Sequence, residues 1–194
     1  MKKISLALLF VFVFALTACG PGNTVRLLPP PPIAASSLPP PDAPSVSVVL
    51  FKETRPNPEV VGIRRDGSDF TTTGDVANWI SRALADDLAR KGFRVTVATE
   101  VSQARNSHPT YLVTGTIDEV WLKESSATEI SAQMRITCTL ANRGGKLWTE
   151  SCNTSQTKTS LPSGDNADNL LLSTLSDLIT PLADKIVQTA NNKK

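Results

Sequence analysis

The clearest pattern in this chain is an alternation of apolar and polar residues between Ile130 and Ala141. A period of two residues is typical of a β-strand that buries one face and exposes the other to water. The apolar face carries Ile130, Ala132, Met134, Ile136, Cys138 and Leu140. A turn signal follows at 142–145, so we predict that the chain returns as a Thr- and Ser-rich edge strand from Leu147 to about Thr159.

The same reasoning predicts three more strands and a helix before this hairpin. β-branched and aromatic residues indicate strands at Val46–Phe51, Phe93–Val97 and Tyr111–Leu122. A helix is predicted from Asp75 to Lys91, because apolar residues recur there at helical spacing. Gly92 then stands where a C-terminal capping glycine belongs.

A second helix is predicted near the C-terminus. Pro181 lies inside its pattern and has no backbone N–H, so we expect a kink or break near Ile179. Its apolar stripe is expected to pack against the sheet, with a partner-binding role as the alternative. The stripe consists of Leu171, Leu175, Leu178, Leu182 and Ile186. Together the elements predict a two-layer α+β sandwich, in which a mainly antiparallel five-stranded sheet carries two helices on one face.

The segment 59–70 is a long connection inside a small domain, and such a loop usually packs or binds something. One interpretation is a partner-contact loop in which two arginines are charged anchors. The other is a small hairpin of residues 60–63 and 70–72, turning at 66–67 and covering the start of the helix. The candidate contact residues are Arg64, Arg65, Asp66, Asp69 and Phe70.

The N-terminus has the three-part build of a secretory signal peptide, with two lysines, an apolar run over residues 4–16 and then small residues. The apolar run is too short to span a bilayer, which takes about 20 residues. Because Leu16-Thr17-Ala18 is followed directly by Cys19, the segment resembles the lipobox of bacterial lipoproteins. The resemblance implies that residues 1–18 are removed and that Cys19 becomes an acylated membrane anchor. The alternative is an ordinary signal peptide with a chance cysteine.

Residues 19–45 hold most of the chain's prolines and cannot sustain a helix or a central strand. We predict that this segment is unfolded and extended. It is then either a stand-off tether that reaches up to roughly 75 Å, or a leader with no requirement on its length. The folded domain is expected at residues 46–190.

Charge and motifs exclude several function classes. Lys2 and Lys3 account for the formal net charge of +2, so the mature chain is neutral, and no run of Lys and Arg indicates nucleic-acid binding. The only histidine is His108, and the sequence has no nucleophile elbow, P-loop or zinc-protease motif. We therefore expect no catalytic residues, no metal site and no cofactor.

The two remaining cysteines are Cys138 and Cys152. An even pair in an exported protein usually forms a disulfide. If the hairpin turns through a three-residue loop, 144–146, the two cysteines lie directly opposite each other and are close enough to bond. A two-residue turn would place them on opposite faces, and two buried free thiols are the alternative.

With these elements placed, the chain resembles the YajG-type family of bacterial lipoproteins. The resemblance rests on the lipobox, on Val61-Gly62-Ile63-Arg64-Arg65-Asp66-Gly67, and on the helix and strand from Asp75 to Val95. It extends over most of residues 46–190 and implies a cellular address and a fold type, but no reaction. The cysteine pair is not a hallmark of that family.

These observations lead to an expected function. Gly20 stands where an Asp would retain a lipoprotein in the inner membrane, so the resemblance implies sorting to the outer membrane, facing the periplasm. We expect a non-enzymatic protein that is held at the membrane by its acyl chains and binds an envelope protein or cell-wall partner. Regulation of peptidoglycan synthesis, service to an envelope transport system, and an enzyme acting on cell wall or lipid are the alternatives.

Overall fold

Eight strands and three helices form in the computed structural model, which describes residues 23–31, 39–40, 42–160 and 164–192. The predicted signal peptide and Cys19 lie outside the described residues. The strands are β1 (Ser45–Val49), β2 (Lys52–Glu53), β3 (Val60–Ile63), β4 (Asp69–Thr71), β5 (Arg94–Ala98), β6 (Tyr111–Glu124), β7 (Glu129–Asn142) and β8 (Gly145–Thr159). The helices are α1 (Val76–Arg90), α2 (Val101–Asn106) and α3 (Gly164–Asn191).

Strand β6 lies at the centre of one mixed sheet. One of its edges pairs with the antiparallel strand β7 along almost its whole length. Its other edge pairs in turn with β1, β2 and β3, and all three run parallel to it. The sheet extends beyond these strands through β5, β4 and β8. The predicted edge position of β8 is confirmed within the described residues, where its ladder is with β7.

The predicted five-stranded antiparallel sheet with two helices on one face is wrong in three respects. The sheet has eight strands in the described residues, several pairs are parallel, and helices lie on both faces. Helices α1 and α3 cover what we call the inner face, whereas α2 packs on the outer face through Ala104 against Val49 and Ala98. Strands β2, β3 and β4 are two to four residues long, which is too short for a periodic pattern to show.

Helix α1 confirms the predicted boundaries. The Asp75 carboxylate accepts a hydrogen bond from the Asn78 backbone N–H at 3.0 Å and so caps the first turn. Gly92 adopts a φ of +89° just after the last turn, a conformation that glycine takes with little strain. The buried side of the helix faces the sheet through Ile80, Leu84 and Leu88, which are fully buried.

Helix α3 confirms the apolar stripe, and of the kink or break predicted near Ile179, the break is wrong. The helix runs from Gly164 to Asn191 without interruption through Pro181. A proline removes one backbone hydrogen bond from a helix. Here Leu178 and Leu182, on either side of the proline, are 3% and 2% exposed and bury both halves of the helix in one core. Packing against the sheet therefore keeps the helix continuous.

The structure also corrects the prediction that residues up to 45 are unfolded. Residues 23–31, called the leader from here on, lie against the domain. Val25 is 2% exposed, and its backbone N–H donates to the Thr71 carbonyl oxygen at 2.7 Å. The Thr71 N–H in turn donates to the Asn23 carbonyl oxygen at 2.9 Å, so the leader adds a short bridge beside β4.

The leader then follows helix α1 towards its C-terminal end. The Trp79 indole N–H donates to the Leu28 carbonyl oxygen at 2.8 Å, and the Arg90 guanidinium donates to the Pro31 carbonyl oxygen at 3.4 Å. An extended proline-rich chain has no internal backbone hydrogen bonds, so its carbonyl oxygens are free to accept from the domain. The composition that rules out a helix is therefore compatible with docking.

We predict that Val25→Asp releases the leader, because the new carboxylate has no partner in the core. Losing the burial of Val25 should lower the free energy of unfolding by about 2 kcal/mol. Hydrogen exchange should accelerate at the Val25 and Thr71 amides, and urea denaturation measures the stability. Val97→Asp is the matched control, because Val97 is 38% exposed. Equal effects of the two substitutions would contradict a docked leader.

Candidate functional site

Arg64 joins the start of the leader to one end of the sheet. Its Nη1 donates to the Asn23 side-chain oxygen at 2.7 Å, and its Nε donates to a Glu124 carboxylate oxygen at 3.3 Å. The guanidinium also lies 5.5 Å from the ring centroid of the buried Phe70. Asn23 therefore lies close to the end of β6. We call this the leader end of the sheet, and the opposite end, at the β7–β8 turn, the far end.

The hairpin interpretation of segment 59–70 is confirmed, because β3 and β4 pair in antiparallel register. Within its turn, the Asp66 carboxylate accepts hydrogen bonds from the Ser68 hydroxyl at 2.6 Å and from the Ser68 N–H at 3.0 Å. These bonds lower the pKa of Asp66. The Arg65 and Asp69 residues are exposed. A partner contact through this loop stays a prediction.

An ion pair ties the leader to the beginning of α3. The Asp168 side chain is only 3% exposed, and it accepts hydrogen bonds from the Arg26 backbone N–H at 2.9 Å and from Arg26 Nε at 2.7 Å. The hydrogen bond to Asp168 raises the pKa of Arg26, and Asp165 adds a second carboxylate at 2.6 Å. Both carboxylates lie in the first turns of α3, where the helix dipole favours negative charge.

The predicted facing of the two cysteines is wrong, and both are free thiols in the structure. The hairpin turns through two residues, with Asn142 opposite Gly145, and Leu147 is then an extra residue in β8. This bulge returns the cysteines to the same face but leaves Cys138 opposite Glu150. Diagonal neighbours on adjacent strands are about 7–8 Å apart, farther than the usual Cα separation of a disulfide.

Burial controls the chemistry of both thiols. Desolvation raises the pKa of Cys138 to about 12, since this residue lies in the core. Burial also raises the pKa of Cys152, which is only partly covered. A thiol reacts as its thiolate, so both groups are poor nucleophiles near neutral pH.

The outer face of the sheet carries an exposed tryptophan that owes its position to a β-bulge. The pairing of β6 with β7 shifts between Ile117 and Glu119, so Asp118 is the extra residue. The Asp118 carboxylate accepts from the hydroxyls of Thr116 at 2.8 Å and Thr137 at 2.6 Å, which holds the bulge in place. Residues after a bulge swap faces. Trp121 consequently points outward and is 37% exposed.

A cleft of about 460 Å³ lies beside this tryptophan. We call it the Trp121 cleft. Its apolar lining includes Val60 and Pro56, and its charged lining includes groups of both signs. Arg135 pairs with Glu119 across the strands at 3.4 Å. Of the five candidate contact residues in segment 59–70, Asp69 is the one that lines the cleft.

Most of the charged side chains of the Trp121 cleft form ion pairs and hydrogen bonds with neighbouring residues, and they do not converge on one point in the cleft. Arg55, with 7% of its side chain exposed, forms a two-point ion pair with Glu53, with distances of 2.6 and 2.9 Å. Asp118 is occupied by the two threonines. Such an arrangement suits shape and charge recognition, because acid–base chemistry needs groups that converge on one reacting atom.

The described residues contain neither a metal-binding cluster nor a helix fit to cross a membrane. No group of three or more His, Cys, Asp or Glu is arranged there to hold a metal ion. Among the helices of that part of the chain, none combines the length and the apolar character that a membrane crossing requires. The expectation of no metal site stays a prediction for the whole protein.

Comparison with known proteins identifies the fold. No protein-family model and no curated protein matches this sequence. The solved structure of protein XCC0632 from Xanthomonas campestris, described under family DUF330, matches with a TM-score of 0.59 at 11% identity. The match covers 87% of this chain and 94% of that chain. At this identity the likeness shows a shared fold and leaves activity open.

Other solved structures are less similar. The PelC dodecamer from Paraburkholderia phytofirmans has a TM-score of 0.48 at 18% identity, with 73% of this chain and 88% of that chain covered. Lipoprotein GNA1162 from Neisseria meningitidis has a TM-score of 0.40 at 16% identity, with 71% and 99% covered. Both scores are below 0.5, so neither supports an argument about this chain. The YajG-type resemblance stays a prediction.

We predict that iodoacetamide at pH 8 leaves Cys138 unmodified in the native protein and modifies Cys152 slowly. A rise in pKa from 9.0 to about 12 leaves roughly a thousandfold less thiolate at Cys138 than at an ordinary thiol. Mass spectrometry of the digested protein measures both sites. In urea without reductant both cysteines should be alkylated fully. A pair that resists alkylation in urea would be a disulfide and would contradict the free thiols.

Proposed function

We propose that this protein is a lipid-anchored envelope protein that works by binding a partner close to the membrane, and that it is not an enzyme. Lipidation at Cys19 and sorting to the outer membrane are parts of the proposal that rest on the lipobox and on Gly20. The YajG-type resemblance supports the same cellular address. The fold shared with protein XCC0632 is compatible with it.

The docked leader carries the proposal, because it fixes the distance between anchor and domain. Only residues 20–22 separate Cys19 from Asn23, whose carbonyl oxygen is bonded to β4. A fully extended chain spans at most about 14 Å over this interval. The long stand-off that the proline-rich segment would allow is therefore lost when the leader docks. This favours a role beside the membrane over one that reaches through the cell wall.

The short link also orients the domain, with the leader end of the sheet towards the lipid. Arg64 connects Asn23 to Glu124, the last residue of β6, so the β6–β7 turn lies at that end. The β7–β8 turn lies at the far end, and the length of β7 separates the two turns by about 43 Å. The two turns are consequently well suited to a paired test.

We predict that a photoreactive amino acid at Ala127, in the β6–β7 turn, crosslinks to membrane lipid in cells. The same group at Gly144, in the β7–β8 turn, should give at least roughly fivefold less lipid adduct, because this turn is held about 43 Å from the β6–β7 turn. Both positions are exposed, so reactivity is matched. Mass spectrometry of the purified adducts gives the ratio.

Two further results would count against the proposal. Equal lipid labelling at Ala127 and Gly144 would show that the leader does not hold the domain in one orientation. Cys19→Ala should abolish acyl labelling and leave the precursor uncleaved, so acylation that persists in this variant would refute the anchor itself. The two outcomes separate the anchor from the orientation.

The Trp121 cleft is the surface that we assign to the partner, and we take the partner to be a protein. Exposed Trp and Arg side chains are enriched among residues that carry protein–protein binding energy. The cleft surrounds its tryptophan with charges of both signs, including the Arg135–Glu119 pair, as the polar rim of an interface does. Glycan of the cell wall is the competing occupant.

We predict that a photoreactive amino acid at Gln133, which is paired with Trp121 across the strands, forms one discrete protein crosslink in cells. Trp121→Ala should reduce this product at least roughly tenfold, as expected for a binding hot spot. Val97→Ala, at a similarly exposed position on β5, is the control and should leave the product unchanged. A crosslink to peptidoglycan, or a product that survives Trp121→Ala, would contradict a protein partner at this cleft.

A further inference from the structure

A second cleft lies on the outer face at the far end of the sheet, where helix α2 meets the ends of β6 and β7. We call it the far cleft. It has a volume of about 690 Å³, within the range of pockets that take small organic molecules and much larger than an inorganic ion needs. The described residues that line the far cleft neither line the Trp121 cleft nor form the leader contacts described above.

The far cleft has a one-sided charge. Arg105 reaches it from α2, Arg143 from the β7–β8 turn and Lys146 from β8, and no Asp or Glu is among the described residues that line it. None of these three cations forms an ion pair within the described part of the chain. Because the mature chain is formally neutral, three unpaired cations around one cleft are a local feature and not a general basicity.

The floor of the far cleft is apolar, with hydroxyl groups between. Leu112 and Ala141 face each other across β6 and β7, and Thr114 and Thr139 form the next outward pair. Val101 of α2 adds an exposed apolar side chain at the wall, with 38% of its surface accessible. An inorganic anion would leave this apolar floor in contact with water.

The loop after α2 forms the wall of the far cleft that lies opposite the β7–β8 turn. His108 adopts a φ of +48°, and its carbonyl oxygen accepts a hydrogen bond from Arg143 Nη2 at 3.3 Å. This contact joins the loop after α2 to the β7–β8 turn. The Arg143 guanidinium is thereby held at the mouth of the cleft, with donor groups still available to a ligand.

We propose that the far cleft binds an amphiphilic organic anion, with its phosphate or carboxylate group between Arg105, Arg143 and Lys146 and its apolar body on the Leu112–Ala141 floor. Arginine forks bind such oxyanions through two parallel hydrogen bonds. The proposal goes beyond the proposed function, since it depends neither on the acyl anchor nor on the Trp121 cleft.

The test is calorimetric titration of the lipidated full chain in phosphatidylcholine nanodiscs, with empty nanodiscs as reference. The probes are 2-naphthyl phosphate, inorganic phosphate and the neutral 2-naphthyl glucoside. We expect 2-naphthyl phosphate to bind at least tenfold more tightly than either of the others. Binding should weaken as salt is added, because the cations are exposed to solvent.

Substitutions locate the binding. Arg143→Ala should weaken the binding of 2-naphthyl phosphate about tenfold, as should Lys146→Ala. Both residues are exposed, Arg143 in the β7–β8 turn and Lys146 at the start of β8, where folding tolerates change. Lys123→Ala, at an exposed position on the outer face of β6 that lines neither cleft, is the matched control and should change affinity less than twofold. Circular dichroism confirms that each variant is folded.

Three results would overturn the proposal. If inorganic phosphate binds as tightly as 2-naphthyl phosphate, the cleft takes an adventitious ion only. If the glucoside binds as tightly, the cleft is a neutral apolar groove. If Lys123→Ala weakens binding as much as Lys146→Ala does, the anion is attracted by diffuse surface charge and not by this cleft.

Discussion

The pairing of one edge of β6 with three different strands is the constraint on which the rest of this structure depends. Strands β1, β2 and β3 follow one another along that edge, all parallel to β6. Gly115 makes this possible at the middle of β6, because a Cβ there would lie 2.7 Å from the Phe51 ring and 2.6 Å from the Thr137 carbonyl oxygen. Gly62 has the same role at the leader end, where β3 approaches Leu122 so closely that a Cβ would not fit. The two glycines let the chain change pairing along a single strand.

The leader links this sheet to the proposed membrane anchor at Cys19. Its bridge to β4 and its ion pair with Asp168 attach it to both layers of the fold, the sheet and α3. A proline-rich segment after an acylated cysteine is commonly viewed as a spacer. With the proposed anchor at Cys19, residues 23–31 lie on the domain and so do not add to the distance between the domain and the bilayer.

The outer face of the sheet is divided along β6 into two unlike surfaces. The Trp121 cleft lies towards the leader end and carries both signs of charge, whereas the far cleft carries cations alone. The bulge at Asp118 separates them and sets the facing of Trp121. One strand thus presents two clefts of different chemistry, which are proposed recognition surfaces at different heights above the proposed membrane plane.

Local pattern alone was enough to predict α1 with its C-terminal capping glycine, the buried face of β7 and the apolar stripe of α3, and it offered the β3–β4 hairpin as one of two interpretations. Each of these depends on contacts between residues close in sequence, or on a periodicity that one buried face imposes. The candidate site was predicted in part: Asp69 lines the Trp121 cleft, while Arg64 and Phe70 are engaged within the fold. Helix α2 escaped notice because its six residues contribute a single buried side chain, Ala104.

The tertiary structure decided the parallel pairing on β6, the continuous helix at Pro181, the offset of Cys138 from Cys152, the facing of Trp121 and the docking of the leader. These features depend on which distant strand supplies a hydrogen-bonding edge and on bulges that add one residue to a ladder. A single extra residue reverses the faces of a strand, so Leu147 and Asp118 have effects far beyond their own positions. By itself the sequence therefore indicated the longer helices and strands, and it predicts an export signal that ends at Cys19. How the strands pair, and what they bring to the surface, depended on long-range contacts that no local pattern records.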